Sequence, residues 1–133
     1  INPAVAPQDE MLSVVTAMVE AGDTVMAGIG SDVADPDVVE SAYSQTPLAP
    51  LVSMFEVAAE IVADLPKIEC PLLLFTSPQD HVVPPTDSDL LAASVSGSVE
   101  RISCERSYHV ATVDFDRQMI CDRSVEFVAR VTA

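Results

Sequence analysis

Two side chains in the carboxyl-terminal half of the sequence have the types and the order that acid–base chemistry requires. Asp80 follows the apolar stretch Leu72–Thr76, and His109 follows a second strand-like stretch, Val99–Cys104. A carboxylate held against an imidazole fixes the tautomer of the ring and stabilises its protonated form. Such a pair is the acid and the base of a triad whose third member is a nucleophile. The sequence therefore predicts that Asp80 and His109 are catalytic.

The segments around these residues predict parallel strands joined by a helical crossover. The apolar run Leu72–Phe75 is typical of a strand that helices cover on both faces. A helix over Asp87–Val95 separates it from the strand Val99–Cys104, which gives the order strand, helix, strand. The carboxyl ends of parallel strands open on one side of a sheet, where ligands bind. We therefore expect Asp80 and His109 to meet at that edge.

The first half of the chain is predicted to be mainly helical. Residues 6–22 have an amphipathic helical pattern that ends at Gly22, and residues 51–65 have the strongest helical period of the chain. Between them, residues 23–47 are expected to form loops with one short helix around Asp37–Tyr43. Five apolar side chains of this half either line a tunnel or pack together as a core, and the core is the preferred interpretation. They are Met11, Met18, Met26, Met54 and Phe55.

A last helix is expected over about Phe115–Val131, with Asp114 as its N-cap. Its inner face is predicted to carry Ile120, Phe127, Val128 and Val131. Together these segments predict an α/β fold. Two strands alone cannot bury both faces of a parallel sheet, so further strands are expected upstream in a longer chain or in another molecule.

Composition and charge exclude some classes of partner. The 133 residues are 49% hydrophobic, which suffices for a core, and the net charge is −15. Eleven acidic residues precede Lys67 without one Lys or Arg. Nucleic acid and anionic membranes should be repelled by this charge. Apolar runs are too short for stable membrane insertion, which needs about 20 residues.

The cysteines and the first residues bear on the compartment and on the completeness of the chain. Cys70, Cys104 and Cys121 lack the spacing of a zinc site, so three reduced and mostly buried thiols are expected, which favours a cytoplasmic protein. Asp32, Asp35 and Asp37 lack the pattern of a calcium loop. The chain begins at Ile1 without a signal-peptide pattern, so we expect a fragment that carries no targeting information.

The two loops resemble those of a known family. CPLLLFTSPQDHVVPP and ERSYHVATVDFD are similar to the acid and histidine loops of α/β-hydrolases of the bacterial carboxylesterase and monoacylglycerol-lipase-like branch. The resemblance implies that residues 1–4 end a core strand, residues 5–66 form a helical cap, and residues 67–133 form the carboxyl-terminal part of the core. It implies that Asp80 is the triad acid and His109 the triad base, while His81 would hold the acid loop by hydrogen bonding.

The family's nucleophile lies in a Gly-x-Ser-x-Gly turn, which is missing from these residues. The resemblance therefore implies a partner, the amino-terminal half of the hydrolase, and a chain that is inactive alone. The implied activity is hydrolysis of small carboxylic esters or monoacylglycerols, without a metal or cofactor. Two alternatives stay open. One is a non-catalytic fragment or interaction module, and the other is an acyltransferase or perhydrolase that uses the same triad.

Overall fold

The fold consists of four helices and two small sheets, described here from a computed structural model that covers residues 1–133. In chain order the elements are α1 (Asp9–Glu20), β1 (Val25–Ala27), β2 (Gln45–Pro47), α2 (Leu48–Asp64), β3 (Leu72–Thr76), α3 (Thr86–Ser94), β4 (Val99–Ser103) and α4 (Arg117–Val131). A 3-10 turn, Leu65–Lys67, joins α2 to β3. No helix of the chain combines the length and the apolar character needed to span a bilayer.

Strands β3 and β4 pair in parallel, as the order of the elements predicts. Their register runs from Leu72 opposite Val99 to Thr76 opposite Ser103. Side chains of β3 alternate between two clusters, as the pleat of a strand requires. Leu74 packs on the side of α3 with Val5, Leu65 and Leu91, and Phe75 packs on the side of α4 with Cys104, Ala111 and Ile120. The apolar run is therefore covered on both faces, which confirms its interpretation as a buried strand.

Two glycines determine where elements end. Gly22 has φ 98° and follows α1, and its N–H donates to the carbonyl of Val19 while that of Asp23 donates to Met18. This pair of bonds closes the helix at the predicted place. At Gly97, between α3 and β4, a Cβ atom would lie 2.1 Å from the carbonyl oxygen of Cys70. Only glycine fits this turn.

The helical segment, defined here as residues 5–66, differs from its prediction between the two helices. The expected short helix around Asp37–Tyr43 is wrong, because that stretch is irregular. Strands β1 and β2, which were not predicted, pair antiparallel through Val25 opposite Pro47 and Ala27 opposite Gln45. The pairing places the start of α2 at Leu48, three residues before the expected start at residue 51.

The last helix also differs from its prediction. Asp114 is not its N-cap, because α4 begins at Arg117 and Asp116 occupies the capping position. Ile120 is buried, as predicted, but Val128 and Val131 are 56% and 43% exposed. Phe127 is half-buried, so the inner face of α4 includes Ile120 and Phe127 but neither Val128 nor Val131. The expectation of mostly buried thiols is wrong as well, since of the three cysteines only Cys104 is buried.

Candidate active site

The carboxylate of Asp80 and the imidazole of His109 meet beyond the carboxyl ends of β3 and β4. Oδ2 of Asp80 lies 2.8 Å from Nδ1 of His109. The Asp80 side chain is 2% exposed and that of His109 is 30% exposed. The structure therefore brings the two sequence-predicted site residues into contact, with the carboxylate enclosed and the ring still accessible to solvent.

The second oxygen of Asp80 is also fixed. Oδ1 accepts hydrogen bonds from the backbone N–H groups of Val82 and Val83, each at 2.8 Å. An ionised carboxylate only accepts hydrogen bonds, so this contact fits the tautomer of His109 that carries its proton on Nδ1. In that tautomer Nε2 carries no proton and has a lone pair with which it can accept one.

A buried asparagine joins the histidine loop to the end of β3. Nδ2 of Asn2 donates to the carbonyls of His109 at 2.8 Å and Tyr108 at 3.4 Å. The Ser77 hydroxyl donates to the same Tyr108 carbonyl at 2.8 Å. Asn2 has φ 43°, a left-handed backbone conformation that asparagine tolerates better than most residues. Sequence reasoning missed this role, because a lone asparagine in an irregular segment belongs to no pattern.

Asp32, from the loop between β1 and β2, contacts both loops of the site. Its Oδ2 accepts the backbone N–H groups of His81 at 3.2 Å and His109 at 2.9 Å. Its Oδ1 lies 2.7 Å from Nδ1 of His81, whose ring meets Tyr108 edge-on with a centroid distance of 4.5 Å. His81 therefore makes the structural hydrogen bond expected of it. In the sequence Asp32 was considered only as part of a calcium loop, which was rejected, and its contact with the two loops was not predicted.

Hydrogen bonding sets the charge state of Asp32. Burial raises its pKa, but the bonds from the His81 side chain and from the two backbone amides outweigh burial, so the pKa lies below its ordinary value. The carboxylate is consequently ionised near neutral pH.

Asp114, near the end of the histidine loop, is a second buried carboxylate that links this loop to the helical segment. This fully buried carboxylate accepts four backbone N–H groups at 2.8–3.0 Å, those of Ala34, Asp35, Tyr108 and Phe115. Burial raises the pKa of Asp114, and the amide bonds more than offset it, so the pKa is lowered. Asp32 thus bonds amides of the two site loops, while Asp114 bonds amides of the helical segment and also that of Tyr108 in the histidine loop.

An apolar cavity of about 270 Å³ lies between the helical segment and the acid loop, next to the site. Its lining includes Met11, Met26, Met54 and Phe55 from the helical segment, with Val82 and Val83 from the acid loop. Met11 and Met54 are 45% and 52% exposed, so their preferred interpretation as core residues is wrong. Met18 does not line this cavity.

A second cavity, also of about 270 Å³, opens beside the imidazole and is lined by residues 1–2 and 109–112. No cluster of three or more His, Cys, Asp or Glu side chains in the chain is arranged to hold a metal ion. A partly exposed imidazole that a carboxylate orients can accept a proton and return it.

Comparison with known proteins identifies the fold. No known protein-family profile matches the sequence. A thermostable monoacylglycerol lipase of Bacillus sp. (strain H-257) is 46% identical over 103 residues, which are 77% of this chain and 41% of that protein. A solved structure described with LipS and LipT, two metagenome-derived lipolytic enzymes, is 33% identical with a TM-score of 0.88 over 97% of this chain and 53% of the other.

The monoacylglycerol lipase of Paleococcus ferrophilus shares the fold at 15% identity, with a TM-score of 0.69 over 93% of this chain and 54% of that one. The chain spans about half the length of the proteins it matches, or less. These relatives and the observed parallel strands confirm the resemblance inferred from the two loops. The chain belongs to the α/β-hydrolases, as a carboxyl-terminal part of that fold on the branch of the monoacylglycerol lipases and carboxylesterases.

Proposed function

We propose that this chain supplies the acid and the base of a serine hydrolase that cleaves carboxylic esters. The observation that carries the proposal is the 2.8 Å contact between Oδ2 of Asp80 and Nδ1 of His109, beside a cavity open to the imidazole. A lone His or Asp at a loop is common, but a buried carboxylate oriented on a partly exposed ring at the carboxyl edge of parallel strands is the arrangement of a catalytic pair.

The proposed mechanism uses a serine on a segment that is absent from this chain. Nε2 of His109 removes the hydroxyl proton as the serine oxygen attacks the ester carbonyl. The imidazolium then returns that proton to the leaving alcohol, which leaves an acyl-serine. In the second half, Nε2 takes a proton from water as the water oxygen attacks the acyl carbon. The bond to the serine oxygen then breaks, Nε2 returns the proton to that oxygen, and the carboxylic acid leaves. Asp80 orients His109 and balances its transient charge without becoming protonated.

In this proposal the domain limits follow the sequence expectation. Residues 1–4 end a core strand, residues 5–66 form the cap, and residues 67–133 complete the core. The single hydrogen bond from the Asn2 N–H to the carbonyl of Phe75, at 3.0 Å, supports a position of residues 1–4 beside β3. The amino-terminal half of the hydrolase, with the serine, is the required partner, and the 133-residue chain alone is inactive.

The proposed substrates are monoacylglycerols or esters of short to medium acyl chains. The name of the 46% identical relative supports the first class. The apolar cavity between the helical segment and the acid loop supports an acyl group, since few polar side chains line it. The proposed steps need only protein groups and water.

Ester hydrolysis by the longer protein that contains this chain tests the proposal. His109→Ala should abolish turnover of p-nitrophenyl butyrate, and Asp80→Asn should lower kcat on the order of 10⁴-fold. Asp89→Asn, which removes an exposed carboxylate paired with Arg101, is the matched control and should leave kcat unchanged. Full activity of either site variant contradicts the assignment. Covalent labelling of the 133-residue chain alone by a fluorophosphonate would contradict the proposal that the nucleophilic serine lies outside this chain.

A further inference from the structure

Asp32 lies in an irregular loop of the helical segment, yet its carboxylate contacts both loops that carry the Asp80–His109 pair. It is 49 residues from His81 and 77 residues from His109 in the chain. We propose that Asp32 is a positioning residue that holds the acid loop and the histidine loop in the register that Asp80 and His109 require. This inference rests on the proposed function and deepens it.

The geometry of one oxygen atom carries the proposal. Oδ2 of Asp32 accepts the N–H of His109 at 2.9 Å and the N–H of His81, the residue after Asp80, at 3.2 Å. The backbones that carry the acid and the base are thus linked through a single acceptor. A shift of either loop stretches one of these bonds, so the acceptor fixes the distance between the loops.

Further contacts prevent the carboxylate from swinging away. Oδ1 of Asp32 lies 2.7 Å from Nδ1 of His81, and the carbonyl of Asp32 accepts the N–H of Val110 at 3.2 Å. The N–H of Asp32 donates to Oε2 of Glu40 at 3.1 Å. The residue is 8% exposed, so little water reaches it. Every polar group of Asp32 therefore has a partner that keeps it in place.

Asp32 bonds the backbone of His109 and not its ring. Its effect on the imidazole is therefore a matter of position, and it is not a catalytic residue in the sense of touching the reacting atoms. Misplacing a catalytic group by about 1 Å costs about 10²-fold in rate. We expect a loss of this size in kcat, with KM little changed, when the acceptor is removed.

Three substitutions separate position from charge. Asp32→Ala removes the acceptor. Asp32→Asn keeps an oxygen of the same reach without the charge, and Asp32→Glu keeps the charge at a greater reach. We expect Asp32→Ala and Asp32→Glu to lower kcat about 10²-fold in the longer protein. Asp32→Asn should keep most of the wild-type kcat, because its carbonyl oxygen can accept hydrogen bonds from both amides.

The control for general destabilisation is Leu91→Val, which alters a buried side chain that packs with Val5, Leu65 and Leu74 on the α3 side of β3. It should lower the melting temperature without changing kcat of the folded protein. The Asn and Glu variants of Asp32 keep the proposal testable if the Ala variant does not fold.

An NMR readout on the longer protein, which does not depend on turnover, separates this inference from the proposed function. A proton on Nδ1 of His109, hydrogen-bonded to Asp80 at 2.8 Å, should give a downfield NMR resonance in the wild type. We expect this resonance to be lost or shifted in Asp32→Ala and Asp32→Glu, and kept in Asp32→Asn and Leu91→Val.

A wild-type resonance and kcat in Asp32→Ala would overturn the inference, as would equal losses in Asp32→Ala and Leu91→Val. An active Asp32→Glu beside an inactive Asp32→Asn would assign the effect to charge and also overturn it. If His109→Ala leaves ester hydrolysis intact, the proposed function fails, and the NMR comparison still decides whether Asp32 positions the loops.

Discussion

Asn2 and Ser77 exchange two hydrogen bonds across 75 residues of sequence. Oδ1 of Asn2 accepts the Ser77 N–H at 2.8 Å, and Nδ2 donates to the Ser77 hydroxyl at 3.0 Å. The same Nδ2 donates to the carbonyl of His109 at 2.8 Å. The first residues of the chain, the end of β3 and the histidine loop are therefore one hydrogen-bonded unit.

Replacing Asn2 should destabilise this unit. Asn2→Ala leaves the buried Ser77 N–H without its acceptor, and we expect a loss of about 1–3 kcal/mol in the free energy of unfolding. Urea titration followed by circular dichroism measures it. Asn2→Gly loses the same bonds but relieves the left-handed φ of 43°, so it should be the less destabilised variant. Equal stability of Asn2→Ala and wild type would contradict the prediction.

Stability should fall in acid partly through Asp32 and Asp114, whose pKa values are lowered in the folded chain by hydrogen bonds that outweigh burial. For Asp32 these come from the His81 side chain and two amides, and for Asp114 from four amides. A lowered folded pKa gives stability that is complete above the unfolded value, about 3.9, and is lost as pH falls through the folded pKa. Asp114→Asn should therefore be less stable at neutral pH and lose less on acidification. Urea titrations from about pH 7 to pH 3 test this. Parallel curves for variant and wild type would contradict it.

Cys104 should resist thiol reagents that modify the other two cysteines. Burial, and then the negative charge of Asp116, raise the pKa of Cys104 to about 11, so little thiolate forms near neutral pH. Cys70 and Cys121 are exposed. Mass spectrometry after maleimide treatment should show two labels on the folded chain and three in denaturant. Rapid addition of three labels to the folded chain would be inconsistent with the buried thiol.

Filling the apolar cavity should reduce binding of acyl chains. Met54 and Val57 both lie on α2 and are 52% and 42% exposed, but of the two only Met54 lines this cavity. In the longer protein, Met54→Trp should raise KM for a long-chain p-nitrophenyl ester more than for a short one, because the indole occupies the space. Val57→Trp should leave the ratio of the two KM values unchanged. An effect of equal size in both variants would place the acyl chain elsewhere.

The sequence predicted the elements that carry the pair of site residues. Strand β3 was predicted with its observed limits, Leu72–Thr76, because a short run that is apolar on both faces is typical of a strand buried between helices. The position of Asp80 and His109 at one edge followed from parallel pairing alone. The Asp80–His109 contact was thus predictable before any coordinate was known.

What escaped prediction depends on contacts between distant residues. Strands β1 and β2 have three residues each and lie 17 residues apart, so neither shows a period of its own. Asp114 precedes a helix in sequence, as an N-cap does, but its buried carboxylate instead accepts amides from Ala34 and Asp35, about 80 residues away. Pairings of this range are set by tertiary structure, which local patterns do not encode.

Asp32, in the helical segment, accepts a hydrogen bond from the histidine loop, and Asp114, near the end of that loop, accepts one from the helical segment. This reciprocity bears on recombination between related lipases. A chimera that takes residues 5–66 from one parent and the remainder from another inherits both attachments only if each parent places a carboxylate at its own position. Shuffling this region alone therefore risks breaking half of the attachment, whereas transferring it together with its matching histidine loop preserves both halves.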